Sequence, residues 1–251
     1  MVSVYFTDLA VRLHFIFMIL QFSFTCFKPA HFLLFGLILL SGQCFSQSRK
    51  SKTIFEDQFG EKLNMNHWKT EIAAPVLVAT ENGKLVIDSP GGVTVWLDKK
   101  LKGDFVIAYD WKVIVAGGKN DRLSDLNQFW MATDPKNTSL FTRTGKFEEY
   151  DSLSLYYVGM GGNTNTTTRF RKYDGKGERK LLQEYTDQEH LLKPNHTYRI
   201  RIVVQNGETS FWVDGEKYFD YKDPAPLTEG YFGFRSTWSR HQIDNFRIDS
   251  L

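Results

Sequence analysis

Two strand-like segments, joined by a glycine- and asparagine-rich turn, carry the side chains best suited to chemistry in this chain. They lie within residues 153–173, LSLYYVGMGGNTNTTTRFRKY. Because successive side chains on a strand point to opposite faces, we expect Leu155 and Phe170 to face the core. The other face would then carry Tyr156, Arg169 and Arg171. A phenol beside two guanidiniums suits an anionic ligand, although an ordinary solvated sheet face has the same pattern.

Further strands add polar and aromatic side chains to this predicted surface. Alternation in residues 126–133, LNQFWMAT, and 231–238, YFGFRSTW, assigns their core positions to Phe and Met. The outward positions of these strands and of the central hairpin are then Gln128, Trp130, Tyr173 and Arg235. Trp130 suits stacking against a ligand ring, and a buried indole is the alternative. Asn163 and Asn165, in the turn, are candidates for hydrogen bonds to a ligand or for a purely backbone role.

Two residues are candidates for proton transfer. Tyrosine titrates near pH 10, and neighbouring arginines are expected to lower the pKa of Tyr156 by stabilising the phenolate. His190 lies in a loop beside Asp187 and Glu189, and histidine titrates near neutral pH. A loop histidine without a chemical role is the alternative. We find no CxxC, HExxH or EF-hand motif, so no metal or other cofactor is predicted, although structural calcium at the loop aspartates stays open.

Short strands separated by turn residues dominate the chain from Thr53 onward. Asn82-Gly83, Asn206-Gly207 and Asp214-Gly215 are hairpin signals, and Pro90-Gly91-Gly92 is expected to break the chain between two strands. No stretch shows sustained helical periodicity. The sequence therefore predicts a single all-β domain over residues 47–251, built as a two-sheet antiparallel sandwich.

The first 46 residues are predicted to be a signal region. They contain two apolar runs, residues 9–27 and 32–40, and small and polar residues follow the second run. This pattern is typical of a secretory signal that is cleaved after Ser46. The first apolar run has one explanation in a start codon that was assigned too early. A lipid anchor on Cys44 and a membrane anchor through residues 9–27 are the alternatives.

Charge and cysteine content narrow the classes of partner. The chain has 31 basic and 29 acidic residues, and without Arg12, Lys28 and Asp8 the balance is 29 to 28. Such a neutral protein has no global field for nucleic acid or a membrane surface, so any preference for anions must be local. Both cysteines, Cys26 and Cys44, precede residue 47. A cysteine-free exported domain is more typical of a bacterial envelope protein than of a small animal secreted domain, and we expect it in the periplasm or exterior of a Gram-negative bacterium.

Several motifs resemble a known family. The opening FEDQF and HWKTE, the FWVDGEKYFDY hairpin and the closing EGYFGFRSTW and IDNFRI resemble the concanavalin-A-type jelly roll. NQFWMATDP, YYVGMGGNTNTTTRFRKY, EHLLKPN and GYFGFRSTWS resemble the YesU-like family, long described as a domain of unknown function from bacterial polysaccharide-utilisation loci. The resemblance implies acidic glycans such as ulvan or rhamnogalacturonan as substrates. Some proteins of this kind are similar to oligosaccharide dehydratases, which leave a 4,5-unsaturated uronate.

The combined prediction is a carbon–oxygen lyase that acts by β-elimination on uronic-acid-containing oligosaccharides, with a dehydratase favoured. Arg169 and Arg171, with Arg235, would hold the carboxylate, and Tyr156 or His190 would move protons. A polysaccharide lyase and a non-catalytic carbohydrate-binding module are the alternatives. A two-carboxylate hydrolase is a further one, but residues 148–151, EEYD, lack the Glu-x-Asp-x-Glu spacing of a jelly-roll hydrolase.

Overall fold

Thirteen β-strands make up most of residues 51–251, the part of the chain described by the structure, a computed structural model. The strands are β1 (Thr53–Asp57), β2 (Trp68–Ile72), β3 (Leu77–Glu81), β4 (Lys84–Lys102), β5 (Phe105–Val113), β6 (Leu126–Thr133), β7 (Ser154–Gly161), β8 (Thr167–Asp174), β9 (Arg179–Tyr185), β10 (Thr197–Gln205), β11 (Glu208–Val213), β12 (Glu216–Lys222) and β13 (Glu229–Ser250). Short helical turns span Phe147–Ser152, Gly162–Asn165 and Gln188–His190. Within this range no helix is long and apolar enough to cross a membrane. The predicted signal region, residues 1–46, lies outside the described residues.

Two long strands, β4 and β13, take part in both layers of the structure. β13 pairs with β6 through its first half and with β5 through its second half, and both pairings are antiparallel. We call the layer β2–β4–β13–β6–β7–β8–β9 the front sheet, and the layer of β1, β3, the first part of β4 and β13–β5–β10–β11–β12 the back sheet. The prediction of an all-β, two-sheet antiparallel sandwich is confirmed.

Both long strands bend where they pass from one sheet to the other. β13 does so at Trp238, where φ is 47° and the pairing register shifts. In β4, Pro90 and Gly91 have no partner in the ladder to β13. A proline cannot donate to a ladder, so this unpaired point accommodates it. The expected chain break at Pro90-Gly91-Gly92 is therefore wrong, because one strand runs through all three residues.

The inner faces of the two sheets meet in an aromatic core. Trp130 and Phe170 from the front sheet stack with their ring centroids 5.7 Å apart. They meet Phe211 and Phe219 from the back sheet at centroid distances of 6.5 and 5.8 Å. Full burial of a large apolar side chain contributes about 1.5–3 kcal/mol, so these rings are a main source of cohesion between the sheets.

The three predicted hairpin turns are confirmed. β3 and β4, β10 and β11, and β11 and β12 are joined by Asn82-Gly83, Asn206-Gly207 and Asp214-Gly215. All six turn residues have positive φ, between 50° and 91°. Two-residue turns with both central φ values positive match the twist of antiparallel strands, which is why Asn, Asp and Gly occupy them.

A second apolar cluster lies on the outer face of the front sheet. The segment between β6 and β7 folds over this face, and the buried members of the cluster are Trp96, Phe129, Ala132, Leu140, Tyr150, Leu153, Leu155, Tyr157 and Tyr173. The buried carboxylate of Glu71 fastens the segment by accepting hydrogen bonds from Trp96 Nε1 and the Tyr150 hydroxyl, both at 2.8 Å. Parts of β6, β7 and β8 are therefore buried on both faces.

Candidate functional site

A polar cleft opens on the outer face of the front sheet, next to the second cluster. Its volume is about 510 Å³. Strands β6 to β9 and β13 contribute Asn127, Tyr157, Gly159, Thr167, Arg169, Arg171, Arg179, Leu181, Arg235 and Thr237, and the adjoining loop and short helical turns contribute Asp125, Phe147, Gly162 and Asn163. The cleft is the place where side chains from five neighbouring strands converge.

Strand register explains why these side chains share one surface. Asn127 on β6 pairs with Arg235 on β13 and with Gly159 on β7, and Gly159 in turn pairs with Arg169 on β8. Two residue pairs further along, and so on the same face, Tyr157 pairs with Arg171. Side chains at paired positions lie on the same face of a sheet. The two rows form the floor of the cleft.

Tyr157 and Gly159 together shape the middle of this floor. The Tyr157 hydroxyl donates to Asn127 Oδ1 at 2.8 Å. A Cβ atom at Gly159 would lie 2.3 Å from that hydroxyl oxygen and 2.6 Å from Asn127 Oδ1. The glycine therefore leaves the room that the phenol needs. Burial raises the pKa of Tyr157, and the Asp125 carboxylate raises it further, so this phenol stays protonated at neutral pH.

Four arginines line the cleft, and they divide into two pairs. Arg169 forms an ion pair with Glu184, and Arg179 forms one with Asp151 at 3.5 Å. Within residues 51–251, neither Arg171 nor Arg235 has a carboxylate within ion-pair distance. The guanidinium of Arg171 lies 5.6 Å from the centroid of the Tyr157 ring, which is a cation–π contact. Two positive charges are thus available to a ligand.

Arg235 is the more unusual of these two cations because it is only 3% exposed. Its Nη2 donates to the Gly145 carbonyl at 3.1 Å, and its guanidinium lies 4.6 Å from the centroid of the Phe147 ring. Its buried Nε has no hydrogen-bond partner within the described part of the chain. Burial lowers its pKa, but a guanidinium stays charged at physiological pH. A buried cation is costly unless anions compensate it; the Asp125 carboxylate does so from beyond ion-pair distance, and an anionic ligand would add to this.

Asp125 contributes the one carboxylate among the described residues that line the cleft. Burial raises its pKa, while a hydrogen bond from the Ser124 hydroxyl at 2.9 Å and the charges of Arg235 and Arg122 lower it. A carboxyl group with a raised pKa is suited to proton transfer near neutral pH. Glycoside hydrolysis normally needs two carboxylates about 5–10 Å apart, and this lining supplies one.

Tyr156 does not face the cleft, so the predicted orientation of β7 is wrong by one residue. The side chain is 2% exposed and lies in the core between the sheets. Its hydroxyl donates to Asp223 Oδ2 at 2.5 Å, and burial raises its pKa instead of the expected lowering by arginine. Leu155 was expected in the core between the sheets but belongs to the second cluster. Because β7 is buried on both faces, an apolar residue does not reveal which face it takes.

Gln128 and Trp130 are misplaced by the same one-residue error on β6. Both are fully buried, and Trp130 lies in the core between the sheets, where its indole N–H donates to Thr209 Oγ1 at 2.9 Å. Gln128 Nε2 donates to the Leu126 carbonyl at 2.9 Å. The outer face of β6 carries Asn127 and Phe129, and Phe129 is covered by the second cluster. Neither predicted binding residue can reach a ligand in the cleft.

His190 and Asn165 lie outside the cleft lining and have structural contacts. The His190 ring stacks on Tyr185 with 3.6 Å between centroids, and its Nδ1 lies 2.6 Å from Asp187 Oδ1. Asn165 Nδ2 donates to the Leu192 carbonyl at 3.0 Å, and the Leu192 N–H donates to Asn165 Oδ1 at 2.8 Å. The loop histidine and this turn asparagine hold the chain in place.

The remaining predicted residues do lie on the cleft side of the sheet. Arg169, Arg171, Arg235 and Asn163 line the cleft. Tyr173 has the predicted parity, but it is fully buried beneath Tyr157, with the two ring centroids 5.8 Å apart, and burial raises its pKa to about 12. β8 and β13 were thus assigned to the correct faces, whereas β6 and β7 were not.

Sequence reasoning missed Tyr157, Asn127, Asp125 and Arg179. One signal for them was present, because Gly159 interrupts a run of β-forming residues. A glycine inside a strand often marks the close approach of another group, and here that group is the Tyr157 phenol. With respect to metals, residues 51–251 contain no group of three His, Cys, Asp or Glu side chains placed to hold an ion.

The fold and cleft define an antiparallel β-sandwich with a polar, arginine-rich depression on one sheet. Over residues 87–246 the chain matches the family described as Domain of unknown function (DUF6250), and it belongs to that family. No curated protein matches this chain in sequence. The more specific resemblance to the YesU-like family stays a prediction.

Solved structures share the fold at low sequence identity. A protein of unknown function with a galectin-like fold from Bacillus subtilis has a TM-score of 0.66 and 17% identity, over 80% of this chain and 98% of that one. An endo-β-1,3-glucanase from Pyrococcus furiosus has a TM-score of 0.58 and 13% identity, over 80% of this chain and 94% of that one. The carbohydrate-binding module CBM66 from Bacillus subtilis has a TM-score of 0.52 and 14% identity, over 73% of this chain and 96% of that one. These likenesses confirm the predicted fold class.

Proposed function

We propose that the cleft binds a uronic-acid-containing oligosaccharide and that the protein is a carbon–oxygen lyase acting by β-elimination. The observation that carries this proposal is the pair Arg171 and Arg235, two cations without a carboxylate at ion-pair distance among residues 51–251, in a described lining that has one phenol and one carboxylate. Arginine suits a planar carboxylate because its donors match both oxygens. The names of similar structures, a glucanase and a carbohydrate-binding module, support a sugar as the ligand.

Elimination at a uronate needs three functions, and the cleft offers a group for each. Arg171 and Arg235 neutralise the carboxylate, which makes the proton on the adjacent carbon acidic. Asp125 accepts that proton as the base, and Tyr157, whose raised pKa keeps it protonated, donates to the leaving oxygen. The C4–O bond breaks as the C4=C5 bond forms, and transfer of the proton from Asp125 to the phenolate restores both groups.

A dehydratase is the favoured form of this reaction, with water as the leaving group and a 4,5-unsaturated uronate at the non-reducing end as the product. A polysaccharide lyase uses the same groups with a sugar as the leaving group. A non-catalytic binding module needs the arginines but neither Asp125 nor Tyr157. A glucanase-like hydrolase is disfavoured because the described lining supplies one carboxylate.

The test uses purified protein and uronate-terminated oligosaccharides from ulvan or rhamnogalacturonan. A rise in low-ultraviolet absorbance reports an unsaturated uronate, and mass spectrometry reports what leaves. Loss of one water per chain indicates the dehydratase, and shorter chains indicate the lyase. Saturable binding without absorbance would contradict the elimination mechanism and leave the binding module.

Asp125→Asn is the variant that tests the assigned base. The amide is similar in shape but cannot accept the proton, so we expect turnover to fall about 100-fold or more, with binding of the substrate retained. In the unsubstituted protein, activity should rise with pH through the raised pKa of Asp125, because only the ionised form is a base. A variant that keeps both its rate and its pH profile would remove Asp125 from the mechanism.

We also propose that the protein is exported to the periplasm or the cell exterior. The predicted signal region, residues 1–46, supports this. The mass of the protein recovered from expressing bacteria tests it, since cleavage after Ser46 leaves Gln47 as the first residue. Recovery of the uncleaved chain from the cytoplasm would contradict export.

A further inference from the structure

Trp238 combines two properties that are unusual for a tryptophan. It is 53% exposed, the most exposed of the large hydrophobic side chains in the described residues. Its φ of 47° lies in the left-handed region, which a bulky side chain rarely adopts. Such strained positions persist where the surroundings enforce them, and they cluster at functional sites. Core packing explains neither the exposure nor the backbone conformation.

Arg122 holds this tryptophan in place from one side. Its Nε donates to the Trp238 carbonyl at 2.9 Å, and its Nη2 donates to the Thr237 carbonyl at 2.8 Å. Its guanidinium carbon lies 5.2 Å from the centroid of the indole ring, which is a cation–π contact. The indole is therefore fixed by one partner while about half of its surface stays open to solvent.

The clamped tryptophan is next to the cleft lining in the chain. Its neighbour Thr237 lines the cleft, and Trp238 follows it at the point where β13 leaves the front sheet. Arg122 is also linked to the cleft, because its charge lowers the pKa of Asp125, and Asp125 lines the cleft. Both residues of the clamp thus connect to the cleft wall.

We propose that Trp238, held by Arg122, is the platform of a second sugar subsite that binds a neutral pyranose ring next to the uronate. The open face of an indole suits the C–H face of a pyranose, and a rigid platform binds at a low entropic cost. We assign a neutral sugar to this subsite because Nε and Nη2 of Arg122 already donate to backbone carbonyls and are not free to bind a carboxylate. The position of this subsite rests on the proposed function, which places the uronate in the cleft. The protein would accordingly select oligosaccharides over single uronic acids.

Calorimetric binding to two probes tests the subsite. The probes are the methyl glycoside of the uronic acid and a uronate-terminated tetrasaccharide, and the Tyr157→Phe background prevents turnover. We expect Trp238→Ala to weaken tetrasaccharide binding about tenfold and to leave binding of the methyl glycoside unchanged. Trp238→Phe should restore most of the affinity. Trp212→Ala, at a half-buried tryptophan on β11 of the back sheet, is the matched control and should change neither probe.

The outcomes separate this inference from the proposed function. An equal loss for both probes, or no loss for either, would overturn the subsite, and so would an equal effect of Trp212→Ala. Absence of an unsaturated product would sink the elimination mechanism alone, because a length-dependent loss in Trp238→Ala would still establish the subsite. A wild-type protein that binds neither probe would overturn both proposals.

Discussion

The two faces of strands β6, β7 and β8 are both buried over part of their length, but the polar groups on the two faces differ in their charge and in their partners. On the inner face, the Trp130 N–H and the Tyr156 hydroxyl have partners within the protein. On the outer face, the guanidinium of Arg171 has no acidic partner among residues 51–251, and on the adjoining strand β13 the buried Nε of Arg235 has no hydrogen-bond partner among them. Buried polar groups are normally satisfied. Gln128 Oε1 on the inner face also lacks a partner among the described residues, so the faces differ chiefly in charge: the groups without an acidic partner on the cleft side are guanidiniums, which suit an anion.

Two adjacent tyrosines show this contrast in a single pair of residues. Tyr156 and Tyr157 are 2% and 5% exposed, and burial raises the pKa of both. The Tyr156 hydroxyl also accepts from the Leu227 N–H at 3.2 Å and is enclosed by that loop. Among the residues that the structure describes, the Tyr157 hydroxyl has Asn127 as its one hydrogen-bond partner, and Tyr157 lines the cleft. The side of the sheet thus decides whether a phenol is enclosed by the protein or lines the cleft.

Replacement of each tyrosine by phenylalanine is the sharpest way to break this comparison. Tyr157→Phe removes the proposed acid and its hydrogen bond to Asn127, and we expect turnover to fall about 100- to 1000-fold with only about 0.5–1.5 kcal/mol less stability. Tyr156→Phe removes a buried hydrogen bond to the Asp223 carboxylate, and we expect about 1.5–3 kcal/mol less stability with turnover within a few-fold of normal. Kinetics and urea unfolding of both variants check this. If the effects were exchanged, the assignment of the two faces would be wrong.

Arg171→Gln sharpens the comparison by removing one of the two cations without an acidic partner. A hydrogen bond to a charged group contributes about 1.5–3 kcal/mol, so binding of the uronate should weaken about 10- to 100-fold. Arg199→Gln, at an exposed position on β10 of the back sheet, is the matched control and should bind normally. Titration calorimetry at two salt concentrations measures both. Equal binding by the two variants would remove Arg171 from the site.

Gly159→Ala tests the space between the cleft residues and should have a smaller effect. The added Cβ would lie 2.3 Å from the Tyr157 hydroxyl oxygen, so the phenol must move. We expect turnover to fall about tenfold, since misplacement by about 1 Å is costly in a catalytic site, and stability to fall by about 1–3 kcal/mol from overpacking. Gly60→Ala, where a Cβ meets nothing within 4 Å, is the control. Normal kinetics in Gly159→Ala would show that the position of Tyr157 is not critical.

The fold followed from the sequence because its signals are local. Asn-Gly and Asp-Gly dipeptides favour hairpin turns, and alternation of apolar and polar residues marks strands. The sandwich and three of its hairpin turns could therefore be predicted. On β8 and β13 the site was predictable as well, because Arg169, Arg171 and Arg235 contrast with Phe neighbours that can only be core.

On β6 and β7 the same reasoning failed for a physical reason. The segment between these strands covers their outer face, so Phe129 and Leu155 are buried on the side that was expected to be polar. Both faces then carry large apolar residues, and a one-residue shift exchanges them. A layer added by an irregular connecting loop leaves no periodic trace in the strands that it covers.

His241 provides the last test, because it is a titratable group on the core side that should affect stability alone. It is fully buried; its Nδ1 accepts from Trp111 Nε1 at 3.0 Å, and its Nε2 lies 2.9 and 2.7 Å from the Ser236 and Ser239 hydroxyl oxygens. Protonation of Nδ1 would break the bond from Trp111. Burial, aided by the charge of Arg122, lowers the pKa of His241 to about 3.

The direction of the pH effect follows from this lowered pKa. Below about pH 6.5 the unfolded chain binds a proton at His241 and the folded chain does not, so the stability present above that pH is lost as the pH falls towards 3. The slope from this residue is about 1.4 kcal/mol per pH unit. His241→Gln should remove this slope between pH 6 and 4 in urea unfolding, whereas His196→Gln, at an exposed histidine, should keep it. Turnover at pH 7 should stay normal in both variants, because neither histidine lines the cleft. Parallel slopes in the wild type and His241→Gln would mean that other groups control acid stability.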